Sequence, residues 1–353
     1  MRIAQVAPLY ESVPPKLYGG TERVVSYLTE ELIREGHEVT LFASGDSETA
    51  AELVFPCRRA LRLNPNAVDY LTYHILMLEQ VLQRARDFDV IHFHIDYLHF
   101  PFSRRSNTAQ VTTLHGRLDL ADLVPLYREF VEMPAVSIST SQRKPLPWIN
   151  WVGTVHHGLP ENLYTFREPA GKYLAFLGRI SPEKGVDQAI EIARRTGMEI
   201  KIAAKVDRVD REYFQAIVKP LLADPSVEYV GEIGEREKDE FLGNALALLA
   251  PINWAEPFGL VFLEALACGT PVVAYNRGSV PELLEHEVTG FVVEDLEEAV
   301  EAIPRLSKIS RRACRRHFEK YFTAPRMSEA YVSIYKQLAE SCSRPPEVTA
   351  SVG

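Results

Sequence analysis

The feature that most constrains the fold of this 353-residue chain is an alternation of short apolar segments with helical patterns in both halves. In the first half, apolar segments at 2–8, 88–97 and 110–116 are separated by stretches whose apolar residues recur at helical spacing. The second half repeats the alternation from Lys172 onward. Strands that alternate with helices predict parallel sheets covered by helices. We therefore expect an α/β protein with two Rossmann-like, doubly wound domains.

The boundary between these domains is predicted from a cluster of glutamate, proline and glycine near residues 162–171. We predict a first domain over 1–165 and a second domain over 166–325. A helix and a frayed tail are expected over 326–353. The helix is indicated by apolar residues at helical spacing: Met327, Tyr331, Ile334, Tyr335 and Leu338.

Composition excludes several classes of protein. The net charge is −9, which does not favour electrostatic binding to nucleic acid or to an anionic membrane surface. No apolar run reaches the ~18 residues of a spanning helix, and the first residues resemble a strand rather than a signal peptide. We therefore expect a cytoplasmic protein. The four cysteines lack C-x-x-C spacing, which indicates neither a disulfide framework nor a zinc site. The arginines within 311–316 are interpreted as a solvated helix face.

One segment carries two carboxylates at an informative spacing. Glu256 lies just ahead of a predicted helix over about 258–268, and Glu264 lies in its middle; the helix follows Pro257 and ends at Gly269. Eight residues of helix advance ~12 Å, whereas carboxyl groups that share one glycosidic bond lie about 5–10 Å apart. The pair therefore suits the two ends of an extended ligand, with a phosphate between them on the free helix amides. A nucleotide sugar has this form.

Two further segments are suited to phosphate. Arg179 and Lys184 surround a helix start, where a cation in the first turn is unfavourable unless an anion binds beside it. Two surface cations in a loop are the alternative interpretation. Gly19 and Gly20 precede a predicted helix and can bring backbone amides to a phosphate, although a tight turn without a ligand would also need them. The Gly-Gly pair is not a G-x-G-x-x-G pattern, so dinucleotide binding is disfavoured.

Histidines are the remaining candidates for chemistry. His115 lies at the carboxyl end of a predicted strand, where ligands bind in open parallel sheets. His92 and His94 form an H-x-H pair on one side of another strand. A metal site needs a third ligand that the sequence does not indicate, so we interpret this pair as satisfied or cleft-edge histidines. No metal is expected.

The run from Glu256 to Ala274 resembles the E-x7-E element of retaining GT-B glycosyltransferases, in particular those of family 4. It contains Pro-Phe-Gly near its start and Cys-Gly-Thr-Pro-Val-Val-Ala at its end. The segment 178–185 is similar to the G-R-x-x-x-x-K-G pattern of the same family. The resemblance covers nearly the whole chain and is most specific from Gly178 to Ala274.

This resemblance implies a cleft between the two domains and a C-terminal helix that crosses back to the first domain. The second domain would hold a nucleotide sugar and the first domain a hydroxyl acceptor. By matching position, the resemblance implies that Glu256 contacts hydroxyls of the donor sugar and that Glu264 contacts the ribose. It also implies that His115 lies over the donor sugar. Arg179 and Lys184 would neutralise the diphosphate. The other implied donor contacts are Gly19, Gly20, Ile233, Phe258, Gly259 and Leu260.

The leading hypothesis is a retaining, metal-independent hexosyltransferase that uses UDP-glucose or a related donor and no organic cofactor. Its acceptor would be a saccharide or, alternatively, a flat pterin-like heterocycle held against Trp148 and Tyr18. A non-catalytic nucleotide-sugar-binding protein and a nucleotide-sugar epimerase are competing hypotheses. Donor hydrolysis without an acceptor, or a changed sugar still attached to its nucleotide, would distinguish the three.

Overall fold

The structure is a computed structural model that describes residues 1–343. Residues 344–353, which belong to the predicted tail, lie outside the described residues. The described chain forms two parallel sheets, one of seven strands and one of six, each covered by helices. This arrangement confirms the predicted α/β architecture with two Rossmann-like domains.

The first sheet has the strand order β3-β2-β1-β4-β5-β6-β7, and each neighbouring pair is parallel. Its central strands are buried on both faces, as expected when helices cover a parallel sheet. The order reverses between β1 and β4, and a crevice forms at the carboxyl ends of strands beside such a reversal. The strands are β1 Arg2–Val6, β2 Glu38–Phe42, β3 Glu52–Val54, β4 Val90–Phe93, β5 Gln110–Leu114, β6 Ala135–Ser137 and β7 Trp151–Thr154.

The second sheet has the order β10-β9-β8-β11-β12-β13 and is also parallel throughout. Its order reverses between β8 and β11, so the chain that leaves β11 enters the crevice of this domain. The strands are β8 Tyr173–Arg179, β9 Ile200–Lys205, β10 Val227–Gly231, β11 Ala245–Ala250, β12 Val272–Tyr275 and β13 Gly290–Val293.

Helices connect these strands, and the longer ones bury apolar residues. The helices are α1 Gly20–Arg34, α2 Tyr70–Gln83, α3 Phe100–Ser103, α4 Leu123–Glu129, α5 Val186–Thr196, α6 Arg211–Tyr213, α7 Lys219–Leu221, α8 Glu235–Gly243, α9 Leu260–Ala267, α10 Val280–Leu283, α11 Leu296–Ala302, α12 Arg311–Tyr321 and α13 Ala324–Ser343. Among the described residues, none of these helices combines the length and the apolar character that crossing a bilayer requires.

The long C-terminal helix α13 returns to the first domain and packs on α1, β4 and β5. Tyr331 is fully buried there, and its hydroxyl lies 2.9 Å from Thr113 Oγ1. The hydroxyl of Tyr335, also fully buried, accepts a hydrogen bond from Gln5 Nε2 at 3.1 Å and lies 2.6 Å from His92 Nδ1. The predicted crossing helix is therefore present, and it is fastened to the first sheet by polar contacts.

The interpretation of the arginines within 311–316 as a solvated face is wrong for Arg311 and Arg315. The Arg315 side chain is 15% exposed, and its guanidinium donates to three backbone carbonyl oxygens, those of Tyr164, Ala267 and Glu161. Arg311 is only 7% exposed, and its guanidinium donates hydrogen bonds to the carbonyl oxygens of Arg167, Gly243 and Ala245 at 2.6–2.9 Å. These carbonyls would otherwise be buried without donors, which is costly. Arg311 therefore stabilises the junction between α12 and β11 instead of facing solvent.

Candidate functional site

The N-termini of α1 and α9 meet where the two domains face each other. A Cβ atom built on Gly20 would lie 3.8 Å from Leu260 Cδ1, so these two helix starts are neighbours across the boundary. A Cβ atom on Gly19 would lie 2.8 Å from Pro15 Cβ, which excludes a side chain at this position. Gly259 has a φ of +92°, a left-handed conformation that favours glycine. Helix starts carry unpaired amides and a positive partial charge, so this region suits an anion.

The carboxylate of Glu256 is held by two donors beside this region. Lys184 Nζ contacts Glu256 Oε2, and the Trp254 indole N–H donates to the same oxygen at 2.9 Å. The Glu256 side chain is 10% exposed, so its charge is largely removed from water. The Trp254 ring also lies 5.5 Å from Lys184 Nζ and from the guanidinium carbon of Arg117, which belongs to the first domain. Trp254 therefore links the Glu256 loop to the opposite domain.

Two left-handed glycines fix the backbone around this ion pair. Gly185 has a φ of +68°, and a Cβ atom on it would lie 2.2 Å from the carbonyl oxygen of Pro251. Gly278 has a φ of +59°, and its Cβ atom would lie 2.3 Å from the carbonyl oxygen of Glu256. Real Cβ atoms do not approach backbone this closely, so each glycine lets two segments touch. The position of Glu256 thus depends on a residue that follows it in the chain by more than twenty positions.

Substitution of Gly278 by alanine is expected to reduce activity at least tenfold, because the new Cβ atom must displace the Glu256 backbone, and small misplacements of reacting groups are costly. Gly36→Ala is the matched control, since Gly36 has a φ of +86° and no atom within 4 Å of its Cβ position. Gly36→Ala should lose about 1–2 kcal/mol of stability from left-handed alanine. Gly278→Ala should lose more, because its Cβ atom also meets the Glu256 backbone. Urea unfolding measures both losses. Equal activity losses in both variants would contradict this reasoning.

Glu264 lies further along α9 and is almost fully buried, with its side chain 4% exposed. Its Oε1 accepts a hydrogen bond from Lys238 Nζ on α8 at 2.7 Å. Lys238 Nζ is also 3.9 Å from a carboxylate oxygen of Glu235, which in turn contacts the guanidinium of Arg23 on α1. This row of ion pairs joins α9 to the first domain. It leaves the second carboxylate oxygen of Glu264 without a hydrogen-bond donor among residues 1–343.

Arg179 ends β8 inside a group of three carboxylates. Its guanidinium nitrogens lie 2.5 Å from Glu183, 3.4 Å from Asp210 and 3.8 Å from Asp207. Three buried polar atoms here make no hydrogen bond within the described chain: Arg179 Nε, Ser181 Oγ and Asp210 Oδ2. Buried polar atoms without partners are uncommon. The predicted contact of Arg179 with a diphosphate therefore requires the guanidinium to leave at least part of this carboxylate group.

The loop between β10 and α8 contains Ile233, whose side chain is buried. In the part of the chain that the structure describes, neither its backbone N–H nor its carbonyl oxygen has a hydrogen-bond partner. Gly231 allows the loop to turn with a φ of +88°. The unpaired amide can donate a hydrogen bond to the edge of a nucleobase, and the unpaired carbonyl oxygen can accept one from it.

His115, which is partly buried, belongs to a chain of aromatic rings at the ends of β4 and β5. His94 Nδ1 lies 2.9 Å from His115 Nε2, and the rings of His115 and His157 are stacked at 5.2 Å. His157 in turn lies edge-on to Phe258, 4.6 Å away, which connects the chain of rings to the start of α9. Burial lowers the pKa of His115 to about 3, so its imidazole is neutral at physiological pH. Its Nδ1 has no partner within residues 1–343 and is available to a ligand.

The H-x-H pair is satisfied by hydrogen bonds, as expected. His92 contacts Tyr335 and Thr113, while His94 contacts Gln5 and His115. Over residues 1–343, no three histidine, cysteine or acidic side chains are grouped as metal ligands. Metal independence itself stays a prediction.

The structure gives Tyr18 and Trp148 separate surroundings. The Tyr18 ring lies 5.5 Å from Lys205 Nζ of the second domain, whereas Trp148 lies 5.9 Å from the guanidinium carbon of Arg128 on α4. No ring contact joins the two aromatic residues in the described part of the chain. The heterocycle site predicted from both of them thus has no direct structural support.

Sequence reasoning missed two residues of the site, Trp254 and Lys238. Trp254 precedes Glu256 by two positions, and an aromatic residue so close to a candidate carboxylate is a signal that could have identified it. Lys238 gave no such signal, because it is one of several charged residues on α8. Its contact with Glu264 depends on the packing of α8 against α9.

Comparisons with known proteins agree with this geometry. Residues 18–152 match the family described as Glycosyltransferase Family 4, and residues 166–321 match Glycosyl transferases group 1. An uncharacterized glycosyltransferase of Methanocaldococcus jannaschii is 25% identical, with 83% of this chain and 85% of that protein covered. The O-antigen chain mannosyltransferase C of Escherichia coli is 24% identical, with 96% and 100% covered.

Solved structures show the same fold. The HepE protein of Anabaena in complex with UDP and glucose has a TM-score of 0.70 and 18% identity, and the match covers 97% of this chain and 99% of that one. Two parallel sheets, facing helix N-termini and the two family matches define the class: the chain is a GT-B glycosyltransferase. Within this class it belongs with the family 4-type glycosyltransferases. The roles of individual site residues stay predictions.

Proposed function

We propose that this chain is a retaining hexosyltransferase that moves a sugar from a UDP-sugar, such as UDP-glucose, to a hydroxyl acceptor. The observation that carries the proposal is the contact between Lys184 and the buried Glu256 carboxylate beside the start of α9. This places a cation and a free helix N-terminus where a diphosphate can bind. A carboxylate next to them can accept hydrogen bonds from sugar hydroxyls.

The proposed chemistry uses charge that develops on the leaving diphosphate. The bond between the sugar C1 and the β-phosphate oxygen breaks, and its electron pair moves onto the diphosphate. Lys184 and the amides at the start of α9 stabilise this charge from fixed positions. Arg179 adds to them once its guanidinium has left part of its carboxylate group. The acceptor oxygen forms its bond to C1 on the same face of the sugar, and a phosphate oxygen takes its proton. These protein cations supply the positive charge, so we propose that no metal is required.

Glu256 and His115 would act on the sugar itself. The carboxylate orients sugar hydroxyls, while the neutral imidazole of His115 offers Nδ1 to another hydroxyl. Glu264, with one oxygen free of donors, would accept from the ribose. The bound glucose and UDP of the HepE neighbour support UDP-glucose as the donor. The E. coli relative is named for mannose transfer, so a mannose nucleotide belongs in the same test.

Thermal unfolding with UDP-glucose, UDP-galactose, UDP-N-acetylglucosamine and GDP-mannose tests the donor. A ligand at 100 times its Kd should stabilise the folded protein by ~2.7 kcal/mol. In the Glu264→Gln variant, loss of a charge-assisted hydrogen bond of about 1.5–3 kcal/mol should weaken nucleotide affinity tenfold or more. The measurement is the shift of the melting temperature across a donor titration.

Glu240→Gln, on the exposed part of α8, is the matched control and should bind the donor like the wild type. Donor hydrolysis without acceptor then separates a transferase from a non-catalytic binding protein, and analysis of the sugar separates it from an epimerase. Absence of stabilisation by all four nucleotides would contradict the proposed donor site.

A further inference from the structure

Asp96 has an unusual backbone conformation at the end of β4. Its φ is +51°, in the left-handed region where residues other than glycine are uncommon and often belong to functional sites. Thr112 Oγ1 holds this turn by donating to the carbonyl oxygen of Asp96 at 3.2 Å. Asp96 follows His94, which contacts His115, by two residues. It therefore lies at the carboxyl edge of the first sheet, next to the histidines that face the donor domain.

The Asp96 carboxylate has no partner within residues 1–343: no group donates a hydrogen bond to it and no cation pairs with it. Structural aspartates of the same domain differ, since Asp69 accepts from amides at the start of α2 and Asp89 pairs with Arg2. Asp96 is exposed, and the protein around its carboxyl removes enough water to raise its pKa to about 6. A carboxylate with free acceptor capacity and no structural task is suited to a ligand.

Three tyrosines lie near this carboxylate: Tyr97 follows Asp96 in the chain, and Tyr10 and Tyr127 are close enough for its charge to act on them. Burial, with the charge of Asp96 adding to it, raises the pKa of both Tyr10 and Tyr127. The rings of Tyr97 and Tyr127 meet edge-to-face at 6.4 Å. Tyr10 belongs to the loop after β1. The positive charge of Lys205, a residue of the second domain, acts on the carboxyl group of the adjacent Glu11, so this loop lies near the second domain. The tyrosines offer apolar ring surface and hydroxyls beside the carboxylate, a combination that suits a sugar ring and its hydroxyl groups.

We propose that Asp96 is an acceptor-binding residue that accepts hydrogen bonds from hydroxyls of a saccharide acceptor on the first-domain wall of the cleft. The inference rests on the proposed glycosyltransferase function and assigns the acceptor side of the same site. In this arrangement the acceptor hydroxyls donate to the Asp96 carboxylate, and the acceptor ring packs against the tyrosines. The proton of the reacting hydroxyl still passes to a phosphate oxygen, so Asp96 orients the acceptor without acting as the base.

The test uses the full chain and the nucleotide sugar that stabilises it in the donor titration. Acceptors are p-nitrophenyl glycosides of glucose, galactose, mannose and N-acetylglucosamine. Asp96→Asn and Asp96→Gly are the informative variants, because asparagine and glycine both adopt positive φ readily and preserve the turn. Loss of charge-assisted hydrogen bonds should raise the acceptor KM about tenfold or more. Donor Kd and acceptor-independent donor hydrolysis should stay within about twofold of wild type.

Asp122→Asn, an exposed aspartate before α4, is the matched control and should keep the wild-type acceptor KM. The inference is overturned if the Asp96 variants keep the wild-type acceptor KM, or if their donor hydrolysis falls in parallel with transfer. It is also overturned if the wild-type protein hydrolyses the donor but glycosylates none of the four glycosides. Failure of the wild-type protein to bind or hydrolyse any donor is a different result, which overturns the proposed function as well.

Discussion

Substitution of Lys184 by methionine is expected to lower kcat by about 10²–10³, the range found when one preorganised group that stabilises transition-state charge is removed. Lys184 is the cation in direct contact with Glu256 at the start of α9, and methionine keeps an unbranched side chain without the charge. Because diphosphate charge develops during the reaction, kcat should fall more than the donor KM rises. Steady-state kinetics with the identified donor provide the measurement.

Lys201→Met is the matched control for this prediction. Lys201 lies on β9 in the same domain, is 32% exposed and pairs with Glu228 at 2.7 Å, so its loss should leave kcat unchanged. The double variant Lys184→Met with Glu256→Gln should be more stable than Lys184→Met alone, because a buried charge without its partner is costly. A Lys184→Met enzyme with kcat within a few-fold of wild type would show that Lys184 does not stabilise the leaving group.

Acidification is expected to destabilise the protein steeply between pH 6.5 and 5.5. Five histidines are held neutral, since burial lowers their pKa: to about 3 for His99 and His115, and well below 6.5 for His92, His94 and His157. Below pH 6.5 the unfolded chain binds protons at these positions and the folded chain does not. The free energy of unfolding therefore decreases as the pH is lowered. Each histidine contributes a slope of about 1.4 kcal/mol per pH unit.

Together these slopes amount to several kcal/mol over one pH unit, a large part of the 5–15 kcal/mol that stabilises a typical protein. The raised pKa values of four carboxyl groups, those of Asp96, Glu11, Glu22 and Asp210, oppose the trend. Urea unfolding at pH 7.5, 6.5 and 5.5 gives the measurement. His99→Phe removes one titrating ring and keeps the stack on Phe93, so the slope of stability against pH should be smaller in this variant. A stability that is flat from pH 7.5 to 5.5 would contradict the prediction.

Much of the fold could be predicted because its signals are local. The helix predicted to start beside Arg179 and Lys184 is α5, which Ser-Pro-Glu precedes and Gly197 ends in a left-handed conformation. The predicted helix over 258–268 is shorter in the structure, Leu260–Ala267, because Gly259 is left-handed and the helix begins after it. The apolar segments at 2–8 and 110–116 run two residues past β1 and β5, and the segment at 88–97 runs four residues past β4, because local pattern does not specify the last hydrogen bond of a strand.

The candidate site was predictable to the extent that its residues lie in one motif. Motif spacing predicts Glu256, Glu264 and Lys184 as site residues, and the structure brings Lys184 to Glu256 across 72 positions. Motif spacing also predicts Arg179, yet three carboxylates surround its guanidinium. Two of them, Asp207 and Asp210, come from the segment after β9, so the motif does not indicate them.

The sequence alone determined the two-domain architecture and the segments that form the site. It did so through the alternation of strands and helices, the positions of glycine and proline, and the E-x7-E spacing. These features act through backbone preferences within a few residues, so the linear chain records them. Only the tertiary structure decided the partners: Trp254 and Lys184 on Glu256, Lys238 on Glu264, the burial of Arg311, and the unpaired carboxylate of Asp96. Burial and ion pairing depend on which loops meet after the strands have crossed over, and that proximity is a property of the packed molecule.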